Sequence, residues 1–257
     1  MTQTHSLAYG RLGAVGVLTP SGNPTVEPEL ARLLGDDVLM LTARMLSGAP
    51  TLLDRLRAYA EELEQSVARF GGVPLRHFLF ACTGSSYLIG PEAEDALVKR
   101  FATRGLNMIT ASHAIRAALQ SLDVSRVVLV NPYPADLKAE ALKYWAAVGL
   151  DLATVVEAEN PDPGYHAIYT LQHDTVRDAL NRAQKAAREL GAGAILFTGT
   201  GMASLATIAA TPAAEGVPLL SSNMALAWKG LCDLGRDMPF ARFVADDAPW
   251  RRRFSPA

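Results

Sequence analysis

His77-Phe-Leu-Phe-Ala-Cys-Thr-Gly84 and Ala194-Ile-Leu-Phe-Thr-Gly-Thr-Gly201 share one form, a short apolar run followed by small residues. An apolar run without alternation reads as a strand buried on both faces, and the small residues mark a tight turn at its carboxyl end. Two further pairs keep the same order. Gly13-Ala-Val-Gly-Val-Leu-Thr-Pro20 matches Arg126-Val-Val-Leu-Val-Asn-Pro132, and Gly105-Leu-Asn-Met-Ile-Thr-Ala-Ser112 matches Gly216-Val-Pro-Leu-Leu-Ser-Ser222. The partners stand roughly 110 residues apart, so the chain reads as a duplicated lobe. Any α/β chain repeats strand-plus-turn units; the constant order of three pairs is what favours duplication.

Working outward, strands are expected at Leu12–Leu18, Val38–Leu41, His77–Ala81, Asn107–Thr110, Arg126–Val130, Leu152–Val156, Ala194–Phe197 and Val217–Leu220. Helical periodicity lies between them. It is clearest over Thr51–Phe70, where Leu52, Leu56, Tyr59, Leu63, Val67 and Phe70 recur at helical spacing before Gly71-Gly72. Further helices are expected at Glu92–Thr103, Ser112–Ser121, Ala135–Val148, Thr175–Leu190, Ser204–Ala210 and Asn223–Leu234. Such alternation predicts an α/β fold with parallel sheets, arranged as two pseudo-symmetric Rossmann-like lobes around an interlobe site. The expected division is an N-terminal lobe over 1–121, a C-terminal lobe over 122–221, and a closing helix and tail over 222–257. The tail from Met238 onward, with Arg251-Arg-Arg253, is expected to be a mobile end or a subunit contact, the latter compatible with a homo-oligomer.

Composition narrows the function classes. The 257 residues carry 24 Lys+Arg against 26 Asp+Glu, a balance that argues against a nucleic-acid surface. No apolar run is long enough to span a membrane, and Met1–Gly10 lacks the pattern of a signal peptide. Two cysteines form neither a disulfide framework nor, with the five histidines, zinc-ligand spacing. No dinucleotide or Walker-type glycine motif is present. The expectation is a cytoplasmic protein without metal or cofactor.

Ligands of parallel sheets bind beyond the carboxyl ends of the strands, so the turns there hold the candidate residues. Cys82 ends one strand and precedes Thr83-Gly-Ser-Ser86, where free amides at a helix start favour an anion and stabilise a thiolate. A packing thiol is the competing reading, because cysteine is often buried; for Cys232, on a helix face, packing is preferred. Thr19-Pro-Ser-Gly-Asn-Pro24, Asn131-Pro-Tyr-Pro134 and Thr198-Gly-Thr-Gly201 are expected to face the same cleft and offer neutral donors to a small carboxylate. Ordinary turn chemistry explains each of them singly. His113 opens a helix and is expected to be a capping or surface residue, with a pocket role the alternative, and Glu27 and Glu29 to favour a helix dipole.

The order of these turns resembles the aspartate/glutamate racemase superfamily, in the branch of maleate cis–trans isomerases and arylmalonate decarboxylases. Gly16-Val-Leu-Thr-Pro-Ser-Gly-Asn-Pro-Thr-Val-Glu-Pro-Glu29 resembles the isomerase opening, with Asn23 at its carboxylate-binding position. Ala81-Cys82-Thr83-Gly84 resembles the first catalytic-cysteine turn, and Val130-Asn-Pro-Tyr133 the tyrosine turn. Leu196-Phe-Thr-Gly-Thr-Gly-Met-Ala-Ser-Leu205 is similar to the second cysteine turn, and Ser221-Ser-Asn-Met-Ala-Leu-Ala-Trp228 to the closing helix.

The resemblance implies cofactor-free chemistry through an enediolate held by neutral donors. It also exposes departures. The second cysteine position holds Gly199, whereas the decarboxylases carry their single cysteine on the second lobe and glycine on the first. The isomerase's second carboxylate-binding asparagine falls on Tyr165, and Ser85 stands where the decarboxylase has a bulky apolar residue. One acid is sufficient for decarboxylation, so the expected function is cleavage of a small malonate-type dicarboxylate with Cys82 as proton donor. Thr83, Ser85 and Tyr133 would hold the retained carboxylate, with the Thr200 amide adding a donor. The alternatives are a maleate-type isomerase with nucleophilic Cys82, supported by Asn23, and a non-catalytic dicarboxylate-binding protein.

Overall fold

A computed structural model describes residues 8–160, 167–212 and 217–254. It contains two four-stranded sheets whose strands all run parallel. In the first sheet the order is β2-β1-β3-β4, from β1 (Gly13–Pro20), β2 (Val38–Met45), β3 (His77–Phe80) and β4 (Asn107–Thr110). In the second it is β6-β5-β7-β8, from β5 (Arg126–Asn131), β6 (Asp151–Glu157), β7 (Ala194–Phe197) and β8 (Leu219–Ser221). The two orders are the same pattern repeated, as the paired sequence stretches predicted.

The central strands are the apolar runs. Val15, Val17 and Leu18 of β1, Leu79 and Phe80 of β3, Val127–Val130 of β5 and Ala194–Phe197 of β7 are all buried. Each sheet reverses direction between its two central strands, between β1 and β3 and between β5 and β7. Chains leaving such a pair diverge to opposite faces and open a crevice at the carboxyl ends.

Helices cover the faces. In the first lobe they are α1 (Val26–Leu34), α2 (Leu52–Glu61), α3 (Leu63–Ala68), α4 (Thr83–Ala102) and α5 (Ala111–Ser121). The remainder are α6 (Ala135–Ala147), α7 (His173–Leu190), α8 (Leu205–Ala209), α9 (Ser222–Asp233) and α10 (Phe240–Val244). Thr110 and Ser221 cap α5 and α9 by accepting from His113 N and Met224 N. After β8, α9 crosses to pack on α1 and α5, and α4 packs on α6, so helices close both sides of the interlobe cleft. No helix among the described residues is long and apolar enough to cross a membrane.

Three expectations are corrected. The single helix over Thr51–Phe70 is two, divided at Glu62: α2 packs on α4, while α3 turns so that Leu63 and Ser66 are buried toward β1 and β2. The helix expected from Glu92 begins at Thr83 and is broken at Gly90, whose φ of 78° precedes Pro91. Proline has no amide for the preceding turn and disfavours helical backbone in the residue before it.

From Met238 to Phe254 the tail is packed against the body and is not a mobile end. Phe240 and Trp250 are fully buried, and Trp228 Nε1 donates to Met238 O at 2.8 Å. The Arg251 side chain, 10% exposed, donates to the carbonyls of Ile208, Ala209 and Thr211 at and just beyond the end of α8. Replacing it strips the Ala209 and Thr211 carbonyls of their donor at once. Arg251→Ala is therefore expected to lower the unfolding free energy by about 2 kcal/mol in denaturant titration, whereas exposed Arg252→Ala stays within about 0.5 kcal/mol.

Candidate active site

The carboxyl ends of β1, β3, β5 and β7 border a cavity of about 390 Å³ between the lobes. Pro20 and Asn23 come from the turn after β1, Cys82–Gly84 from β3, Asn131–Pro134 from β5, and Gly199–Gly201 from β7. The four turns expected to converge do so. Leu52, Leu56, Leu137 and Ile168 give the cavity hydrocarbon walls, and Glu157 and Glu159 stand in the lining, Glu157 paired with Lys138 Nζ at 2.9 Å.

Cys82 takes the cap position at the start of α4 and is 4% exposed, bordering the cavity. Burial pushes its thiol pKa up, while the Ser85 side chain and the amides of Ser85 and Gly84 pull it down; burial wins. Ser85 Oγ lies 3.2 Å from the sulfur and donates to Leu56 O at 2.7 Å. The sulfur and the Leu56 carbonyl share the one Ser85 proton, and the bond to sulfur favours the thiolate. This arrangement leaves burial as what keeps the thiol protonated. It also places Ser85, expected to hold the carboxylate, behind the sulfur and outside the cavity lining.

Thr83 Oγ1 and Tyr133 OH are 2.7 Å apart and face the cavity together. Burial keeps the Tyr133 phenol protonated, outweighing the Thr83 hydrogen bond that favours its anion. One of the two hydroxyl protons bridges the pair, which thus offers one free neutral donor. The ring of Tyr87 packs edge-on against Tyr133, fixing the phenol from behind.

Thr200 also borders the cavity, but its hydroxyl donates to Ala81 O at 2.9 Å, so the side chain binds the other lobe. Asn23 borders the cavity with its oxygen already used, accepting from the amides of Thr25 and Val26 at 2.9 and 3.2 Å. Its Nδ2 points to Thr200 Oγ1 at 3.4 Å. Tyr165 lies outside the described residues. His113 is away from the cavity, with Nε2 2.7 Å from Asp95 Oδ1.

Gly199 stands opposite Cys82 with φ +91°, a backbone conformation that L side chains adopt at a cost. A Cβ there would meet Ile168 Cδ1 at 2.8 Å, Pro132 Cγ at 2.9 Å and the Tyr133 hydroxyl at 3.2 Å. At Gly201 a Cβ would lie 2.4 Å from the Tyr169 ring. The second lobe's face is therefore filled by the 3-10 turn Ala167–Thr170, held by Asn160 Nδ2 on Ala167 O and Thr170 Oγ1. Sequence reasoning did not single out Ile168 or Tyr169; no pattern distinguishes them from other apolar loop residues. Glu29, expected only to favour a dipole, is instead a buried link between lobes, accepting from Leu205 N at 2.9 Å and Asn223 Nδ2 at 2.8 Å.

Comparison with known proteins follows the same lines. The family model for arylmalonate decarboxylase matches residues 15–242. A maleate isomerase of Nocardia farcinica is 28% identical over 163 residues, 58% of this chain; the match spans 64% of that relative, less than two thirds of its length. Among solved structures, a Nocardia farcinica maleate cis–trans isomerase variant with a covalently bound succinylcysteine intermediate superposes with a TM-score of 0.73 at 24% identity, covering 91% of this chain and 99% of the other. A liganded arylmalonate decarboxylase variant, with one glycine made cysteine and one cysteine made serine, superposes with a TM-score of 0.71 at 22% identity, covering 88% and 94%.

The crowding at Gly199 has a measurable consequence. Gly199→Ala is expected to lower the unfolding free energy by about 2 kcal/mol, from positive φ and overpacking together. Adding Ile168→Ala should recover part of that loss in a double-mutant cycle, because it empties the contested space. Additive losses would contradict the assignment.

Proposed function

The chain belongs to the arylmalonate decarboxylase family, and from that premise we propose that it decarboxylates a small malonate-type dicarboxylate, with Cys82 as its single proton donor. The observation that carries this reading is one buried thiol, held protonated, facing a glycine whose side-chain space is already filled.

The steps balance without a cofactor. The bond between the central carbon and one carboxylate breaks, carbon dioxide leaves, and its electron pair passes into the retained carboxylate to form an enediolate. The Thr83–Tyr133 hydroxyl pair gives its free proton to that carboxylate in a hydrogen bond that strengthens as the charge grows, with the Thr200 amide as a further donor. The leaving carboxylate sits among Leu52, Leu56, Leu137 and Ile168, where hydrocarbon favours neutral carbon dioxide over the anion. Cys82 then gives its proton to carbon from its own face, and solvent restores it. A positioned acid of this kind contributes roughly 10²–10⁴-fold. Ser85 keeps the thiol oriented and does not touch the substrate.

A second reading, maleate-type isomerisation, is supported by the 28% identical relative and by Asn23 at the cavity edge. It asks Cys82 to be a thiolate that adds to a double bond. Burial disfavours that anion, and Asn23 already spends its oxygen on Thr25 and Val26.

Incubation with substituted malonates is expected to release carbon dioxide, and Cys82→Ala to reduce that release at least about 10²-fold with the circular dichroism spectrum unchanged. Release at the wild-type rate would remove Cys82 from the mechanism. Mass spectrometry after incubation with maleate separates the two readings: no Cys82 adduct is expected, and an adduct would favour isomerisation.

A further inference from the structure

Glu29 is outside the cavity, yet two hydrogen bonds connect it to the cavity wall. It is 7% exposed on α1, with Oε1 on the Leu205 amide and Oε2 on Asn223 Nδ2. The same Nδ2 donates to Thr200 O at 3.0 Å. One NH₂ group thus spans from the carboxylate to the turn that borders the cavity.

The donor inventory makes this link depend on charge. An amide NH₂ has two hydrogens and no acceptor, so both of its neighbours must accept. The Thr200 carbonyl always does. Each Glu29 oxygen faces a donor, so a proton on either one removes the negative charge and weakens that oxygen as an acceptor, at the Leu205 amide or at Asn223. Turning the Asn223 amide would satisfy a protonated Glu29 and aim its oxygen at the Thr200 carbonyl. Protonation therefore loosens one end or the other.

We infer that Glu29, as a carboxylate, is a positioning residue for the Thr200–Gly201 turn, acting through Asn223. The other anchors of that turn do not titrate near neutrality: Thr25 Oγ1 donates to Gly201 O at 2.9 Å, and Thr200 Oγ1 to Ala81 O. Around Glu29, α8 presents the amides of Ser204 and Leu205, α9 presents Asn223, and α1 itself contributes the charge of Arg32. Burial pushes the carboxyl up to about 7 against those four, so the switch lies in an accessible range. Only the effect on turnover rests on the decarboxylase reading; the position of the turn does not.

The test follows the amide resonances of Gly201 and Met202 by ¹H–¹⁵N NMR from pH 5 to 9, without substrate, in wild type and Glu29→Gln. In wild type they should move with a midpoint near the Glu29 value of about 7, and in Glu29→Gln remain near their low-pH positions with no midpoint. The raised folded pKa means that ionisation costs stability as pH climbs from about 4.5 through about 7. Glu29→Gln should therefore be at least as stable as wild type above neutrality. Turnover should fall about tenfold in kcat with KM little changed, and its dependence on pH near 7 should disappear. Should Glu29→Gln not fold, Asn223→Ala keeps the carboxylate and cuts the link. The Glu29 ¹³C carboxyl should then titrate while Gly201 does not follow. Gly201 shifts that persist in Glu29→Gln, or that stay still in wild type while Glu29 titrates, would overturn the assignment. If no malonate or maleate turns over but the shifts behave as stated, the functional reading fails and the positioning role stands.

Discussion

The hydrogen bond from Thr200 Oγ1 to Ala81 O fixes the relation between the lobes at the point where it matters. Ala81 follows one central strand and precedes Cys82; Thr200 follows the equivalent strand of the other sheet. Thr25 on Gly201 O and Asn23 on Thr200 Oγ1 tie the same turn to the first lobe. Each bond contributes about 1 kcal/mol net, but parting the lobes would strand buried carbonyls at a larger cost. The sulfur and the glycine opposite it are thus held across one crevice by the backbone, and the cavity is built rather than induced.

Within that frame the duplicated lobes are not equivalent. The first offers a thiol, a helix start and the Thr83 hydroxyl; the second offers Gly199 with Ile168 and Tyr169 packed above the turn. A symmetric pair of acids needs matching space on both faces of a planar intermediate, and here one face is occupied by hydrocarbon. Chemistry needing a single proton transfer suits this asymmetry. Tyr133 belongs to the second lobe but bonds Thr83 of the first, so the donor pair itself crosses the cleft.

Much of this was legible in the chain. Continuous apolar, β-branched runs such as Val127–Val130 read as buried strands, and the small residues after Phe80 and Phe197 mark where the sheets open. Convergence of four turns followed from their shared place at strand ends. What stayed hidden depended on partners distant in sequence. Ser85 is a plausible ligand until the Leu56 carbonyl, 29 residues away, and the Cys82 sulfur are seen to share its proton. Glu29 reads as a dipole carboxylate because Asn223 lies 194 residues further on. Arg251 reads as a tail charge until the end of α8 is seen beneath it. The division of the helix at Glu62 likewise reflects Leu63 and Ser66 finding the sheet, against a periodicity that ran straight through.

The central claim is that carbon receives its proton from one face only, the face of Cys82. It is tested most directly by decarboxylating a prochiral disubstituted malonate in D₂O, reading handedness by chiral chromatography and deuterium by mass spectrometry. The account predicts one enantiomer bearing one deuterium at the new C–H, of opposite hand to the product of a decarboxylase whose cysteine sits on the second lobe. A racemic product, or the same hand, would contradict it.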